Sequence, residues 1–355
     1  MPGLEKNFED LFSQVVKEGA SDLHIAVGRH PTLRIDGNLI PLLKDEIITP
    51  ETAQSFVSSI LTEEQNKRFI AERELDLSYN FRDRARFRIN VFYQRGFVGA
   101  ALRLIPTKVK TIEELNLPPI VKEFTKYKQG FFLVVGPTGH GKSTTLAAMV
   151  DEINHSRANH IITVEDPIEY LFVSDRAIIN QREVGSDTEG FHRALKSTFR
   201  EDVDVAMIGE MRDPETMSMA VTAAETGHLV LSTLHTNDAA QTVDRIIDTF
   251  PGAQQTQIRA QLAFTLIGIL SQRLVPRVNG GVIPAIELMI ATPAVQNLIR
   301  ENKIHQLDLV VETGSDQGMI SLNRSLADLI RRGEISLETA LQYSLHPGEL
   351  KTLLQ

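Results

Sequence analysis

The sequence predicts an α/β protein in two parts: a small mixed domain, then a mostly parallel sheet covered by helices on both faces. Its 355 residues are enough for about two domains at the usual ~150 residues each. From Gly130 onward four apolar, strand-length runs, FFLVV, HIITV, VAMI and LVLSTL, alternate with amphipathic helical patterns. That rhythm is the mark of buried parallel strands joined by helical crossovers. Between Pro106 and Pro119 the segment PTKVKTIEELNLPP is bracketed by prolines and lacks alternation. It sets the expected division at 1–105 for the first domain, 106–119 for a linker and 120–355 for the second domain.

Leu4, Phe8, Leu11, Phe12, Val15 and Val16 fall on one helical face, with Gly19 placed to end that helix. SDLHIAV and PTLRIDGNLIPL read as short strands, the second folded at a tight turn on Asp36-Gly37. Thr49-Pro50-Glu51 supplies an N-cap followed by proline at the first helical position, and helical pattern then runs to about Glu72. Two or three strands are expected between 74 and 104. The last ninety or so residues read as mainly helical, over 254–271, 293–301, 321–332 and 336–343.

Composition narrows the function. With 42% hydrophobic and 23% charged residues the chain is an ordinary globular protein. Its longest apolar runs, such as Phe131 to Val135, fall well short of the ~18 residues of a membrane span. The opening MPGLEKNFEDLF lacks the basic and apolar regions of a signal peptide, so a cytoplasmic location is expected, with any membrane association made through a partner. The absence of cysteine excludes disulfides, thiolate zinc sites and cysteine nucleophiles. A net charge of -9 argues against a dedicated nucleic-acid binder.

Gly136-Pro137-Thr138-Gly139-His140-Gly141-Lys142-Ser143-Thr144 fits G-x-x-x-x-G-K-[ST] between the strand FFLVV and the helical pattern STTLAAMVDEI. In that context the glycines let backbone N–H groups cradle phosphates, Lys142 reaches the β and γ oxygens, and Ser143 offers a hydroxyl to magnesium. ATP and Mg2+ are therefore the expected ligands. His140 has two readings: an imidazole that adds charge beside the γ-phosphate, or an exposed side chain the loop tolerates; the second is the simpler.

Three further clusters lie at predicted strand ends, where open α/β sheets bind ligands. HIITV ends in Glu165-Asp166-Pro167-Ile168-Glu169, VAMI ends in Gly209-Glu210, and ETGHLVLSTLHT puts His228 before a strand and His235 after it. Six intervening residues at about 3.3 Å each separate the histidines by roughly 20 Å, too far to share a metal. Glu210 is the best placed to act as a base, with a structural acid at a strand tip as the plainer alternative. Glycine occupies the place where such strands often carry a magnesium-holding aspartate. Ser143 can order the metal directly, with Glu165 and Asp166 as outer helpers; whether Glu210 touches it too is left open. In the first domain Arg82, Arg84, Arg86 and Arg88 alternate with Phe81, Phe87 and Ile89, which puts the arginines on one strand face. A solvated face, a nucleic-acid surface and charge neutralisation on ATP are three readings of that stripe.

SDLHIAVG, RIDGNLIPL, GPTGHGKSTT, VEDPIEYLF, IGEMRDPETM and TGHLVLSTLHTNDA together resemble the type II/IV secretion ATPase superfamily, and within it the pilus-retraction motors, over about residues 4–345. The resemblance implies a PAS-like N-terminal domain joined to a RecA-like ATPase domain, assembled as a homohexamer that works with an inner-membrane pilus platform protein; no nucleic-acid partner is expected, on the ground of the acidic net charge. It further implies Glu210 as catalytic base, Glu165 and Asp166 as acidic-box partners, His228 and His235 as histidine-box residues, and Arg88 and Arg103 as nucleotide-facing arginines, with Arg86 and Arg95 as rivals. Assembly and secretion ATPases resemble the motor domain but usually carry a four-cysteine zinc module and a longer N-terminal extension, so the cysteine-free chain fits the retraction branch. Residues 294–301 read AVQNLIRE where retraction motors usually have AIRNLIRE, keeping Asn297, Leu298, Arg300 and Glu301. That departure keeps a retraction accessory paralogue among the readings.

Overall fold

The computed structural model describes residues 2–35, 37–82, 85–106 and 108–355; the side chains of residues 2–7 lie outside that description. The chain divides into two compact units, Met1–Lys108 with Glu169–Leu171, and Val109–Ile168 with Phe172–Gln355.

In the first unit, helix α1 (Pro2–Lys17) buries Phe8, Leu11, Phe12 and Val15, as the helical spacing predicts, and leaves Val16 exposed. The Leu4 side chain lies outside the described residues, as does Asp36 of the predicted turn. Strands β1 (Asp22–Ile25), β2 (Thr32–Ile35), β3 (Asn38–Pro41), β4 (Glu74–Phe81), β5 (Ala85–Gln94) and β6 (Phe97–Ile105) form one antiparallel sheet in the order β3-β2-β1-β6-β5-β4. The Phe12 ring is the centre of the core, with centroids of Tyr79, Phe81 and Phe87 at 5.1, 5.2 and 5.0 Å and Phe56 at 6.0 Å. Each such pair adds about 0.5–1.5 kcal/mol beyond simple burial.

The single helix expected up to Glu72 is two helices, α2 (Pro50–Ile60) and α3 (Glu63–Glu72). Leu61 turns extended, and Thr62 forms a reciprocal capping box: its hydroxyl accepts the Gln65 N–H at 3.2 Å while the Gln65 side chain accepts the Thr62 N–H at 2.9 Å. Those bonds satisfy two donors that a continuous helix would have used otherwise. The arginine stripe is also cut short. Arg82 sits past the end of β4 with φ +49°, and its guanidinium pairs with Glu9 at 2.5 Å. Arg84 lies outside the described residues; among the described ones Arg86 and Arg88 share a strand face, on β5.

The second unit begins with residues expected in the linker: Ile112 and Leu117 are core residues here. Helix α4 (Ile120–Thr125) leads to strand β7 (Gly130–Val135), followed by α5 (Lys142–Ser156), β8 (His160–Glu165), β9 (Ile178–Glu183), α6 (Phe191–Thr198), β10 (Val205–Ile208), α7 (Pro214–Glu225), β11 (Leu229–Leu234), α8 (Ala239–Asp248), α9 (Gly252–Thr265), β12 (Leu266–Pro276) and β13 (Val282–Ile290). The sheet order is β13-β12-β7-β11-β10-β8-β9, parallel throughout except for β13. Every residue of β7 and β11 is buried, and core clusters occupy both faces. Helices α10 (Pro293–Arg300), α11 (Leu307–Thr313), α12 (Leu322–Arg331), α13 (Leu337–Tyr343) and α14 (Pro347–Leu353) complete the unit.

The helix expected over 254–271 ends at Thr265, and 266–290 is a β-hairpin rather than helical sequence. LIGIL is an apolar run short enough to suit either state, and pairing with the exposed edge of β7 decides for strand. Gly268 fits there because a Cβ would stand 2.8 Å from the Phe124 ring. At the break between α2 and α3, Thr62→Ala is expected to lower the stability of the first unit by about 1 kcal/mol. A urea titration reads this directly, and an unchanged midpoint would mean that packing alone imposes the break.

Candidate active site

The phosphate-loop sequence joins the end of β7 to α5. Gly136, Gly139 and Gly141 all have positive φ, at 147°, 80° and 79°. Gly141 is the N-cap of α5 and, having no side chain, supplies no side-chain cap to that helix terminus. An anion completes such a terminus. Lys142 is buried, and its ammonium donates to the carbonyls of Gly136 and Pro137, each at 2.9 Å. Burial pushes its pKa down, and the Glu210 carboxylate opposes that shift. Ser143, Thr138 and Gly139 are exposed and Thr144 is half-buried.

His140 follows neither sequence reading. It is half-buried, its Nδ1 accepts the Leu274 N–H at 2.9 Å, and its carbonyl accepts the Gln272 amide at 2.8 Å. Burial first, then the charges of Arg273 and Lys142, lower its pKa, so the imidazole is held neutral.

Parallel pairing brings the other clusters to the same edge of the sheet. Leu234 of β11 is level with Val135 of β7, and Ile208 of β10 is level with Ser232 of β11 and Val164 of β8. Gly209 then runs against the end of β8: its N–H donates to the Val164 carbonyl at 2.8 Å, and a Cβ would lie 3.3 Å from that oxygen and 3.4 Å from the Glu165 Cα. The glycine in the usual aspartate position is therefore set by backbone crowding. Glu210 comes next, with Oε1 2.5 Å from Arg212 Nη2 and Oε2 3.5 Å from His235 Nε2. His235 Nδ1 lies 3.3 Å from the Thr138 hydroxyl and 3.4 Å from Lys142 Nζ. The imidazole thus bridges the phosphate loop and Glu210.

Glu165 is buried at the end of β8, where Oε1 accepts the Thr163 hydroxyl at 2.6 Å and the Gln181 amide at 3.3 Å. Asp166 is exposed and begins a cis peptide to Pro167. His228 stands at the opposite end of β11 from the loop, its Nδ1 2.9 Å from the Ala223 carbonyl and its ring edge-on to Phe199. Of the two histidines, only His235 is brought to the loop. Arg88 and Arg103 face each other in register in the first unit, and Arg103 Nε donates to Asp22 at 3.0 Å. Arg86 shares that face of β5, whereas Arg95 sits in the β5–β6 turn with φ +53°.

Thr138, Glu210 and His235 border a cleft of about 600 Å³ that also takes in Arg212, Asn237, Gln241 and Arg245. Sequence reading missed these four. Arg212 was legible two residues past Glu210, and Gln241 and Arg245 have i,i+4 spacing on α8, but neither signal separates site from surface. Behind the cleft, Asp238 N-caps α8 by accepting the Gln241 N–H at 2.6 Å, and Glu287 Oε1 accepts the Ala239 N–H at 2.8 Å. Glu287 keeps some exposed surface, but its carboxyl is packed deep, and burial pushes its pKa up to about 8. The Ala239 N–H opposes that shift, Asp238, Asp308 and Glu312 reinforce it, and the Arg273 guanidinium also faces it.

A family model described as Type II/IV secretion system protein matches residues 3–321. The chain is 44% identical over 343 residues to the Type IV pilus retractation ATPase PilT of Pseudomonas aeruginosa, covering 95% of this chain and 98% of that one. It is 41% identical to the Type IV pilus ATPase PilU of the same organism, covering 98% and 91%. A crystal structure of the pilus retraction motor PilT with bound ADP superimposes with a TM-score of 0.91 at 45% identity, over 97% of this chain and 98% of that one.

The raised pKa of Glu287 fixes the sign of a pH effect. Between 4.5 and about 8 the folded chain keeps a proton that the unfolded chain releases, so this group's contribution to stability is full below pH 4.5 and falls as pH rises toward 8. Glu287→Gln keeps the acceptor for Ala239 without the charge. Thermal melts are expected to show the variant more stable than wild type above pH 8, with the gap closing toward pH 4.5. A gap that does not change with pH would rule out the shifted carboxyl.

Proposed function

This chain belongs to the type II/IV secretion system protein family, and from that premise we propose that it is an ATP-hydrolysing motor that powers retraction of type IV pili. The single observation that carries this is end-to-end similarity to a retraction ATPase, 98% of whose length is matched. The assembly and secretion members fit less well: the chain spans 53% of a type II secretion protein E from Aeromonas hydrophila and 31% of an assembly ATPase PilB from Thermus thermophilus, at 36% identity each. The chain is an ATPase with a PAS-like first domain and a RecA-like second domain.

Catalysis of phosphoryl transfer to water rests on positioning and charge stabilisation. Lys142 exchanges its loop carbonyls for phosphate oxygens, and the uncapped first turn of α5 supplies N–H donors to the same group. The exposed Ser143 hydroxyl at that turn suits magnesium, which when bound screens charge on the β and γ oxygens. Glu210 orients and deprotonates the attacking water, and His235 links its carboxylate to Thr138 and Lys142. Glu165 and Asp166 act as the acidic box beside it, while Arg88 and Arg103 neutralise developing charge. His228, away from the loop, is assigned to subunit contacts rather than to chemistry.

The working assembly is a homohexamer at the cytoplasmic face of the inner membrane, held there by a pilus platform protein. Among the described residues no helix is long and apolar enough to cross a membrane. In the AVQNLIRE segment Val295 is buried in α10, where isoleucine would be a conservative neighbour, while Gln296 stands half-buried in place of arginine.

Glu210→Gln is expected to bind ATP while turning over at least about tenfold more slowly, as loss of a general base requires. Near-normal turnover in a phosphate-release assay would remove Glu210 from that role. Deletion of the gene is expected to abolish twitching and leave surplus surface pili; bald cells would point to an assembly motor instead.

A further inference from the structure

We propose that Gln272 and His140 are positioning residues for nucleotide, bracing the phosphate loop against β12 in the curvature that receives phosphates. The proposal rests on residues 136–144 being the phosphate loop, and it adds a residue far away in sequence to that site. β12 pairs in parallel with β7, Ser271 level with Val135. Gln272 therefore lies just past the end of β7, against the loop. It is 3% exposed, and both ends of its amide are used: Nε2 donates to the His140 carbonyl at 2.8 Å, and Oε1 accepts the Thr145 hydroxyl at 2.7 Å. One buried side chain thus ties the loop to the first turn of α5. Two residues on, the Leu274 N–H donates to His140 Nδ1 at 2.9 Å, which fixes the neutral tautomer with its proton on Nε2.

The glycines support the same reading. A Cβ at Gly136 would stand 2.3 Å from the Gln272 carbonyl oxygen, and one at Gly141 would stand 2.9 Å from Gln272 Nε2. Two loop glycines are therefore required by the close approach of β12, besides any requirement set by phosphate. The strand is itself held from its other side: Ser271 Oγ donates to the Asn237 carbonyl at 2.7 Å, and Arg273 donates to the Tyr343 carbonyl at 3.2 Å. A loop whose shape is fixed in advance spends less binding energy on ordering. Because His140 must accept a hydrogen bond, its protonation breaks the brace. The charged groups that face it, Arg273 from β12 and Lys142 from α5, both oppose that protonation.

Affinity of the full chain for ADP, read by displacement of a fluorescent ADP analogue, tests the brace. His140→Ala and Gln272→Met are each expected to weaken binding about tenfold, the scale of a buried hydrogen bond left unmade. His140→Asn, whose amide oxygen reaches the place of Nδ1, is expected to restore affinity to within about threefold of wild type. The nucleotide's own titration cancels in the ratio of wild-type to His140→Asn affinity. That ratio is expected to fall as pH is lowered from 6.5 toward the acid limit of the folded state. Normal affinity in His140→Ala, equal weakness of the Ala and Asn variants, or a ratio that ignores pH overturns the proposal. Should Gln272→Met fail to fold, the two His140 variants still decide. Lys142→Ala is the control: normal affinity there would sink the phosphate-loop reading itself, whereas weak binding there with normal His140→Ala sinks only the brace.

Discussion

The parallel pairing of β7, β11, β10 and β8 is the constraint on which the candidate site depends. Parallel strands finish at one edge, so the loop after β7, the acids after β8, Glu210 after β10 and His235 after β11 are delivered to the same rim although up to about a hundred residues separate them in the chain. Register matters as much as order. A slip of one residue would turn buried side chains of β7 and β11 to the wrong face, and Gly209 leaves little room for a slip because its backbone is packed on Val164 and Glu165.

At that rim Glu210 and Lys142 each have local partners. Glu210 is shared between Arg212 and His235, and Lys142 is held by two carbonyls of its own loop. Exchange of those carbonyls for phosphate oxygens is favourable because the ammonium then meets full negative charge in place of carbonyl dipoles. His235 touches both sets, so a change at Lys142 is felt at Glu210 through a single imidazole. The arrangement joins nucleotide recognition to the proposed base without any long-range device.

The first unit shows a different balance. Across its sheet Arg34, Asp22, Arg103, Arg88 and Ser78 lie in one register row. Asp22 takes Arg103 at 3.0 Å and lies 3.8 Å from Arg34, while Arg88 has no ion pair among the described residues. Like charges directly opposite each other are unfavourable, and here a single carboxylate offsets only part of the repulsion. The row keeps a net positive face.

The sequence by itself determined the local elements whose causes are local. Spacing placed Phe8, Leu11, Phe12 and Val15 on the buried face of α1; G-x-x-x-x-G-K-[ST] between strand and helix located the loop; apolar runs located β7, β8, β10 and β11. Thr62 and Gln65 carried a legible capping box that helical periodicity on either side concealed. What only the tertiary structure decided depends on neighbours far along the chain. LIGIL became strand because the edge of β7 offered it hydrogen bonds, Arg82 left the stripe because the β4–β5 connection turns there, and Arg212 and Gln272 joined the site because other strands carried them to it. His140 gives the clearest case: four loop residues identify its position, but its role is set by the N–H of Leu274, 134 residues away. Periodicity and motif spacing record contacts within a few turns or one strand, whereas a hydrogen bond between strands leaves no periodic trace in either one.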